Sequence, residues 1–555
     1  MNLFTKRNMF KFCSFTLLAL SLFISCNKNN SPENTSKAIK DETKPSVSLK
    51  GEKEVSLSIG DYYQELGALA TDDVDGDLSS QIIINITKDN NPVDNIESSQ
   101  EGEFTIKYTV KDKSGNEATE TRKVIIEKSS LAFIKAKSAN LRESSDNKAK
   151  NILTLSKGTE LTFIEDALDT ENTPWAKVEY TNANEKLTGF IKKDLITFDR
   201  SELISEKYRY LDFTPYEKKE YPNNPRVKAK GIYLTIYSAG GQRLDKLIDL
   251  ANRTEINAFV IDVKDDNGYL LFPMNAGEKY SPKANEKNTV KDISALMKKL
   301  KDNNIYSIAR IVSFKDPIYT EAHTDRAIIF KDSGKPFTNS DNLRWASAYD
   351  RVLWEYNIAV AKEAIAAGFN EIQFDYVRFP ASNGGKLDAS LDYRNEKNET
   401  KPQAIQEYLK YARKEIAPLG AYISADVYGL VTSVEDDMAL GQHWEAISNV
   451  VDYISPMMYP SHYGNGVYGL SVPDAFPYET VFKGTKDGVY RNKNIKTPAI
   501  IRPWIQDFTA AWVKGYIKYG DKEVVAQIKA MKDNGVDEYL LWNATNRYSE
   551  GGLGK

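Results

Sequence analysis

Residues 371–380 read Glu-Ile-Gln-Phe-Asp-Tyr-Val-Arg-Phe-Pro, with Glu371, Gln373 and Asp375 alternating with Ile372, Phe374 and Tyr376. Alternation at every second position is the period of a strand, so one face of this segment is polar and carries a carboxylate. A helix-like run at 354–367 precedes it and a polar, glycine-bearing loop at 381–400 follows. That context places Asp375 near the strand's carboxyl end, where α/β folds keep their chemistry. In the run 422–430, Asp426 shares a face with Tyr428. Neighbouring strands lie about 5 Å apart, so inward carboxylates on two of them can flank one bond and divide acid and base work across it. Asp265 and Asp266, at the second loop, compete with Asp426 for the second role.

These side chains need a frame, and the carboxyl-terminal half supplies one. Buried-strand runs at 231–238, 258–265, 307–314, 371–380, 422–430, 453–460, 497–508 and 538–545 are interspersed with helical patterns at 292–301, 352–367, 403–416 and 524–532. Eight βα units over 228–555 predict an α/β (β/α)8 TIM barrel with insertions. A doubly wound sheet would carry a glycine-rich phosphate loop after its first strand, and none follows 231–238. The expected rim is polar. Asp262 and Lys264 share a face of the second strand, Arg310 lies on the third, Gln373 and Asp375 on the fourth, and Asp426 and Tyr428 on the fifth. Tyr459 ends the sixth, Arg502, Trp504 and Gln506 share a face of the seventh, and Trp542 sits near the end of the eighth. Burying a charge is costly unless it is paired, and some of these can pair with one another, Asp262 with Lys264 or Arg310 for example. As a set, polar groups reaching one rim from many strands point to a ligand site.

At 555 residues, 41% hydrophobic and 27% charged, the chain has the composition of several globular domains. Lys and Arg number 74 against 78 Asp and Glu, which leaves no electrostatic case for a nucleic-acid partner. The three histidines, His323, His443 and His462, form no close ligand pair, so neither a built-in metal site nor a cofactor is expected. At the amino terminus Lys6, Arg7 and Lys11 precede an apolar run at 12–24 that ends in Leu22-Phe-Ile-Ser-Cys26. The run is short for a membrane span and suits a signal-peptide core over 1–25. A cysteine directly after it resembles a bacterial lipobox, with Phe23 where Leu is usual. The resemblance implies a lipid on Cys26 and an envelope protein anchored to a membrane and facing outside the cytoplasm. Cys13 would leave with the signal, so no thiol remains for a disulfide. The polar stretch 26–45 reads as a disordered tether.

Short alternating runs separated by turn clusters at 46–128 have the spacing of a β-sandwich. Gly60-Asp-Tyr-Tyr-Gln-Glu-Leu-Gly67 and Val110-Lys-Asp-Lys-Ser-Gly-Asn116 resemble bacterial Ig-like repeats, which usually act as spacers. Asp72, Asp73, Asp75 and Asp77 offer oxygens for Ca²⁺ but lack the later bidentate Glu of an EF-hand, and a solvated turn is the expectation. The all-β stretch 131–198, with Ala139-Asn-Leu-Arg142, Trp175-Ala-Lys-Val-Glu-Tyr180 and Gly189-Phe-Ile-Lys-Lys-Asp-Leu195, resembles a bacterial SH3 domain, a family that often binds cell-wall material. Residues 199–227, with Pro215, Pro222 and Pro225, read as a linker.

Four motifs carry the most specific likeness. Val263-Lys-Asp-Asp-Asn-Gly268, Ile308-Ala-Arg-Ile-Val-Ser-Phe-Lys-Asp316, Gly368-Phe-Asn-Glu-Ile-Gln-Phe-Asp-Tyr-Val-Arg-Phe-Pro380 and Ile454-Ser-Pro-Met-Met-Tyr-Pro-Ser-His-Tyr463 resemble, in order, the bacterial family described as a "putative glycosyl hydrolase domain". The resemblance implies a hydrolase of a surface or cell-wall polysaccharide, or of peptidoglycan, working through two carboxyl groups. Retaining barrels such as α-galactosidases and α-amylases place an aspartate where Asp375 falls, which makes Asp375 the expected nucleophile and Asp426 the acid/base. Arg310 and Arg378 would hold hydroxyls or an acidic sugar group, and Trp504, Trp542 and Tyr459 would offer flat faces to sugar rings. Asp262, Lys264, Asp265, Gln373, Arg502 and Gln506 complete the expected substrate-binding set. The loops 381–400 and 461–495 are expected to wall the cleft. A barrel that binds carbohydrate or organises the envelope without catalysis is the alternative, since a fold alone does not supply activity. The residues carry no signal for an oligomeric state.

Overall fold

The computed structural model describes residues 41–59, 61–98, 101–127, 129–182 and 185–554. The expected signal peptide, Cys26 and all of the tether before residue 41 lie outside the described residues. Among the described residues, no helix is long and apolar enough to cross a membrane. The described residues divide into two compact units, one of residues 41–53, 66–85 and 106–122, the other of residues 54–65, 86–105 and 123–554.

In the first unit Ser46–Leu49 pairs antiparallel with Ala68–Asp72, which pairs in turn with Gly76–Asp77. The acidic stretch there is a bonded turn. Asp72 Oδ1 accepts from the N–H groups of Val74 and Asp75, at 3.0 and 2.9 Å. Asp75 pairs with Lys113 at 2.7 Å, and Asp77 accepts from the Ser79 N–H at 2.9 Å. Asp41, Asp72 and Asp73 bring ligand oxygens within 4.8 Å of one another.

In the second unit seven antiparallel strands between Leu131 and Thr197 wrap around a small core that includes Ile134, Leu141, Leu161, Val178 and Ile191. This small domain is docked on the larger one. The Arg200 guanidinium lies between the rings of Phe133 and Tyr490, 4.6 Å from each, and the Tyr490 hydroxyl donates to the carbonyl of Gly158 at 2.5 Å.

The larger domain is a closed parallel barrel. Its strands are β1 (Lys230–Leu234), β2 (Ala258–Lys264), β3 (Tyr306–Val312), β4 (Glu371–Asp375), β5 (Tyr422–Tyr428), β6 (Tyr453–Met458), β7 (Ile500–Ile501 with Trp504–Gln506) and β8 (Tyr539–Trp542). The order is β5-β4-β3-β2-β1-β8-β7-β6, and β5 also pairs with β6 to close the ring. β7 is split at Pro503, which has no N–H to give the ladder. Helices α1 (Arg243–Arg253), α2 (Ile293–Asp302), α3 (Arg351–Ala367), α4 (Lys401–Ile416), α5 (Trp444–Val450), α6 (Pro477–Asn492) and α7 (Asp521–Lys532) follow β1 to β7 in turn. α3 leads into β4 and sets where that strand starts. Asp350 accepts from the Val352 N–H at the helix's amino end, and Gly368 at φ 114° closes its carboxyl end. Outward residues such as Ile372 and Phe374 join the main core, while Tyr306, Tyr422, Tyr453 and Leu540 fill the barrel interior. Two expected strands run short. β1 stops before Thr235, whose hydroxyl caps the turn Ile236–Ala239, and β4 stops at Asp375.

Residues 199–227 form a strap stitched to the barrel. Gln406 exchanges two hydrogen bonds with the Asp212 backbone, at 2.9 and 2.7 Å. Lys218 Nζ donates to the carbonyls of Asn449 and Val451 at the end of α5, at 2.9 and 2.5 Å. Asn224 Nδ2 donates to the carbonyls of Asn370 and Gly420, just before β4 and β5, and the Tyr221 ring lies 5.1 Å from that of Tyr422. Each buried carbonyl stripped of its donor costs about 1–3 kcal/mol. A chain starting at residue 228 is therefore expected to melt roughly 5 °C or more below one starting at residue 199. Equal melting curves would show that the strap contributes nothing.

Candidate active site

β4 carries Glu371, Gln373 and Asp375 on its inner face, so each lies one barrel layer above the last. Just past Asp375 the backbone leaves the extended region, because Tyr376 adopts φ 47°, a left-handed conformation uncommon for a bulky residue. This ends the strand and turns the Tyr376 N–H onto Asp375 Oδ1 at 2.5 Å. Asp375 Oδ2 accepts from both Nε and Nη2 of Arg310, at 2.9 and 2.6 Å. All three hydrogen bonds to this carboxylate come from donors.

Arg310 is the hub of the rim. Its Nη1 donates to Asp262 at 2.5 Å and its Nη2 to Asp266 at 3.0 Å. Asp262 also accepts from the Tyr233 hydroxyl at 2.5 Å, and the Tyr233 ring stacks on Trp542 at 4.1 Å. Burial pushes the Asp262 carboxyl up to about 7 against the opposing pull of Arg310. Asp266 is also raised by burial, but Arg310 and Lys315 outweigh this and hold it below the usual carboxylate range. Lys315 bridges Asp266 and Asp341, at 3.3 and 2.8 Å.

The last register pairs of β4 and β5 are Gln373 with Ser424 and Phe374 with Ala425. Asp375 and Asp426 follow directly, side by side and both inward. Trp504 Nε1 donates to Asp426 Oδ1 at 2.8 Å. Asp426 is only 1% exposed, and burial first, then the charge of Asp375, pushes its carboxyl well above the usual range. Two neighbouring carboxyls are thereby placed in opposite surroundings, one gripped by a guanidinium and one kept from charging.

Above them opens a cleft of about 450 Å³. Asp375, Arg310, Arg378, Tyr459, Trp504 and Trp542 line it, all of them expected at the site. Asp426 does not line it and stands behind Trp504, to which it is hydrogen-bonded.

The other expected site residues lie elsewhere. Lys264 does not share a face with Asp262, because a register shift between them turns it outward. There it is fully buried, donating to Asp316 and Asn357 at 2.8 and 2.6 Å. Asp265 holds a turn, accepting from the N–H groups of Asn267 and Tyr269 at 2.9 Å each. Gln373 is fully buried one layer below Asp375 and donates to Ser455 at 3.3 Å. Gln506 is consumed by loop bracing, accepting from Ser461 and donating to Asp474 at 3.0 Å each. Arg502 lies at the opposite, amino-terminal end of the barrel, bonded to Glu371 at 2.9 Å and to Glu538 at 2.8 Å. The 381–400 loop supplies none of the cleft's lining residues, while the loops after β5 and β6 supply several, for example Met438 and His462.

Tyr428, expected on the rim, also lines the cleft, as do Tyr376 and His462, which were not anticipated as site residues. Tyr376 adjoins Asp375 and His462 stands inside the Ile454 to Tyr463 motif, so the signal for both was proximity to residues already singled out.

A parallel eight-stranded barrel with ionisable side chains gathered at the carboxyl ends of its strands is the architecture of the TIM-barrel enzymes. The chain belongs to the family described as "Putative glycosyl hydrolase domain", which it matches over residues 231–548. Its carboxyl-terminal half is thus a glycosyl hydrolase domain. Residues 47–126 match the family described as "Bacterial surface protein, Ig-like domain". Among solved structures, the chain is similar to a hypothetical protein from Ruminiclostridium thermocellum ATCC 27405, at 39% identity over 35% of this chain and 97% of that one, with TM-score 0.31. It is also similar to the glycoside hydrolase domain of PgaB (BpsB) from Bordetella bronchiseptica, at 12% identity over 57% and 94%, with TM-score 0.40. For the glycoside hydrolase domain of PelA from Pseudomonas aeruginosa the identity is 10% over 58% and 96%, with TM-score 0.33. No curated protein matches the chain.

Proposed function

We propose that this protein cleaves a surface or cell-wall polysaccharide with Asp375 as nucleophile and Asp426 as acid/base, retaining configuration at the cut sugar. Asp426 does not line the cleft, so the Trp504 indole bonded to it must first move aside. Asp426 then gives its proton to the leaving oxygen as Asp375 bonds to the anomeric carbon, and water, deprotonated by Asp426, releases the sugar. The observation that carries this reading is the contrast between the two neighbours. Arg310 donates twice to Asp375, while burial and the charge of Asp375 push the Asp426 carboxyl well above the usual carboxylate range. The same proposal places the chain at the cell envelope on a lipid at Cys26, with 46–128 as spacer and 131–198 as an SH3-like wall-binding arm.

The test is release of reducing ends from bacterial surface polysaccharides and peptidoglycan by the soluble chain beginning after Cys26. Cleavage with retained anomeric configuration supports the assignment. Binding without cleavage of any glycan would move the protein to the non-catalytic alternative.

A pH dependence follows with a fixed sign. Asp426 works as an acid only while protonated, so the alkaline limb of kcat/KM sets in at its raised folded-state pKa and falls about tenfold per pH unit above it. An alkaline limb that survives unchanged in Asp426→Asn would assign the acid to another group.

A further inference from the structure

We propose that the cleft is built for an acidic glycan, and that Arg378 receives a carboxylate of the sugar bound beside Asp375. This rests on reading the cleft as the glycan site and names the class of glycan. Arg378 comes from the loop that Tyr376 turns back over the end of β4, and only 8% of it is exposed. It lines the cleft together with Asp375.

The three cations around the rim are treated differently. Arg310 is matched by Asp262, Asp266 and Asp375, and Lys315 by Asp266 and Asp341. Among the described residues, no carboxylate pairs with Arg378. Its one hydrogen bond runs from Nη1 to the carbonyl of Phe379 at 3.0 Å. Aromatic rings hold the guanidinium in place, with Trp345 at 4.9 Å, Tyr376 at 5.2 Å and Tyr428 at 5.7 Å.

A cation nine-tenths buried without a counter-charge is costly, and ring faces offset only part of that cost. The bond to Phe379 uses Nη1 and leaves Nε and Nη2, which lie on one edge of the planar group. That edge is the two-pronged donor matching the two oxygens of a carboxylate. A uronic acid, or a sugar bearing an acidic ether, supplies such a group and a neutral hexose does not. The rings that clamp the guanidinium also fix the plane in which the carboxylate must arrive.

The experiment separates binding from cleavage by working in Asp426→Asn. Galacturonan, glucuronan and mannuronan oligomers, each beside its carboxyl-reduced neutral counterpart, are titrated calorimetrically into that variant with and without Arg378→Gln. At least one uronate oligomer is expected to bind on the order of tenfold to a hundredfold tighter than its reduced form, and Arg378→Gln is expected to erase the difference. Arg378→Lys keeps the charge without the two-pronged edge and should fall between. It also serves if Arg378→Gln does not fold. Equal binding of acidic and reduced forms overturns the proposal, as does no binding of any uronate, binding of sulfated glycans only, or an equal loss for both forms in Arg378→Gln. Acid-selective binding with no reducing ends released by the unsubstituted chain would sink the hydrolase reading and leave the subsite standing. Cleavage of neutral glycans without acid preference would do the reverse.

Discussion

Asp426→Asn is expected to lower turnover by about 10²–10⁴-fold while KM moves little, the pattern of a group that acts mainly in the transition state. The amide is nearly isosteric and can still accept from Trp504 Nε1, so the cleft should keep its shape. What disappears is the proton that the buried carboxyl retains because burial and Asp375 oppose its ionisation. The loss should therefore shrink on substrates whose leaving group needs no proton, such as aryl glycosides with an acidic phenol. Asp375→Asn should be worse on every substrate, because the nucleophile is required whatever leaves. A clean signature distinguishes the two. Azide added to Asp375→Ala should attack the anomeric carbon from the vacated side and yield a glycosyl azide of inverted configuration, with Asp426 protonating the leaving oxygen. Full activity in either asparagine variant would remove that residue from the mechanism.

Arg502→Met should be the most damaging single change for stability, at about 3–5 kcal/mol, or on the order of 10 °C in melting temperature. The guanidinium is fully buried at the amino-terminal end of the barrel, 3.6 Å from the centre of the Tyr453 ring and bonded to Glu371 and Glu538. Glu371 is equally buried and would keep only the Tyr306 hydroxyl, at 3.1 Å. An uncompensated buried carboxylate is the source of the cost, so removing it as well should restore much of the loss. The double variant Arg502→Met with Glu371→Met is expected to be more stable than Arg502→Met alone, a strong departure from additivity. Glu538 tolerates this better, since it also accepts from the Ala229 N–H. Additive losses in the double variant would falsify the idea that charge imbalance, rather than lost packing, dominates here.

The contrast between Arg502 and Arg310 shows how far the sequence could be read. A period of two reports which face of a strand a residue occupies, and both arginines were expected at the carboxyl-end rim, where the structure places Arg310 but not Arg502. It does not report depth. Two residues advance a strand by about 6.6 Å, a full barrel layer, so Arg502 and Trp504 share a face while one seals the floor and the other borders the cleft. Gln373 was misplaced for the same reason, one layer below Asp375. Lys264 failed differently, because a single register shift in β2 reversed its face, and nothing in Asp262-Val-Lys264 announces a bulge. Gln506 was lost to partners in distant loops, Ser461 and Asp474, that no local pattern could name. The eight strands were legible because their apolar runs are long and regularly spaced. The end of β4 was not, since the left-handed Tyr376 has no sequence signature of the kind glycine gives.

The strap alters what counts as a transferable piece of this protein. The family likeness begins at residue 231, yet the carbonyls at the barrel's amino-terminal end find their donors on Lys218 and Asn224, and the neighbouring small domain is held by Arg200 against Tyr490. A gene fusion cut at the likeness boundary would inherit the chemistry of the cleft without the underside that keeps it closed. Arg200 lies on the strap and Tyr490 on the barrel, so a recombination event exchanging one without the other would break the clasp. The heritable unit here is the small domain, the strap and the barrel together, and lineages that shuffle their modules should keep those three in one block while varying what precedes residue 131.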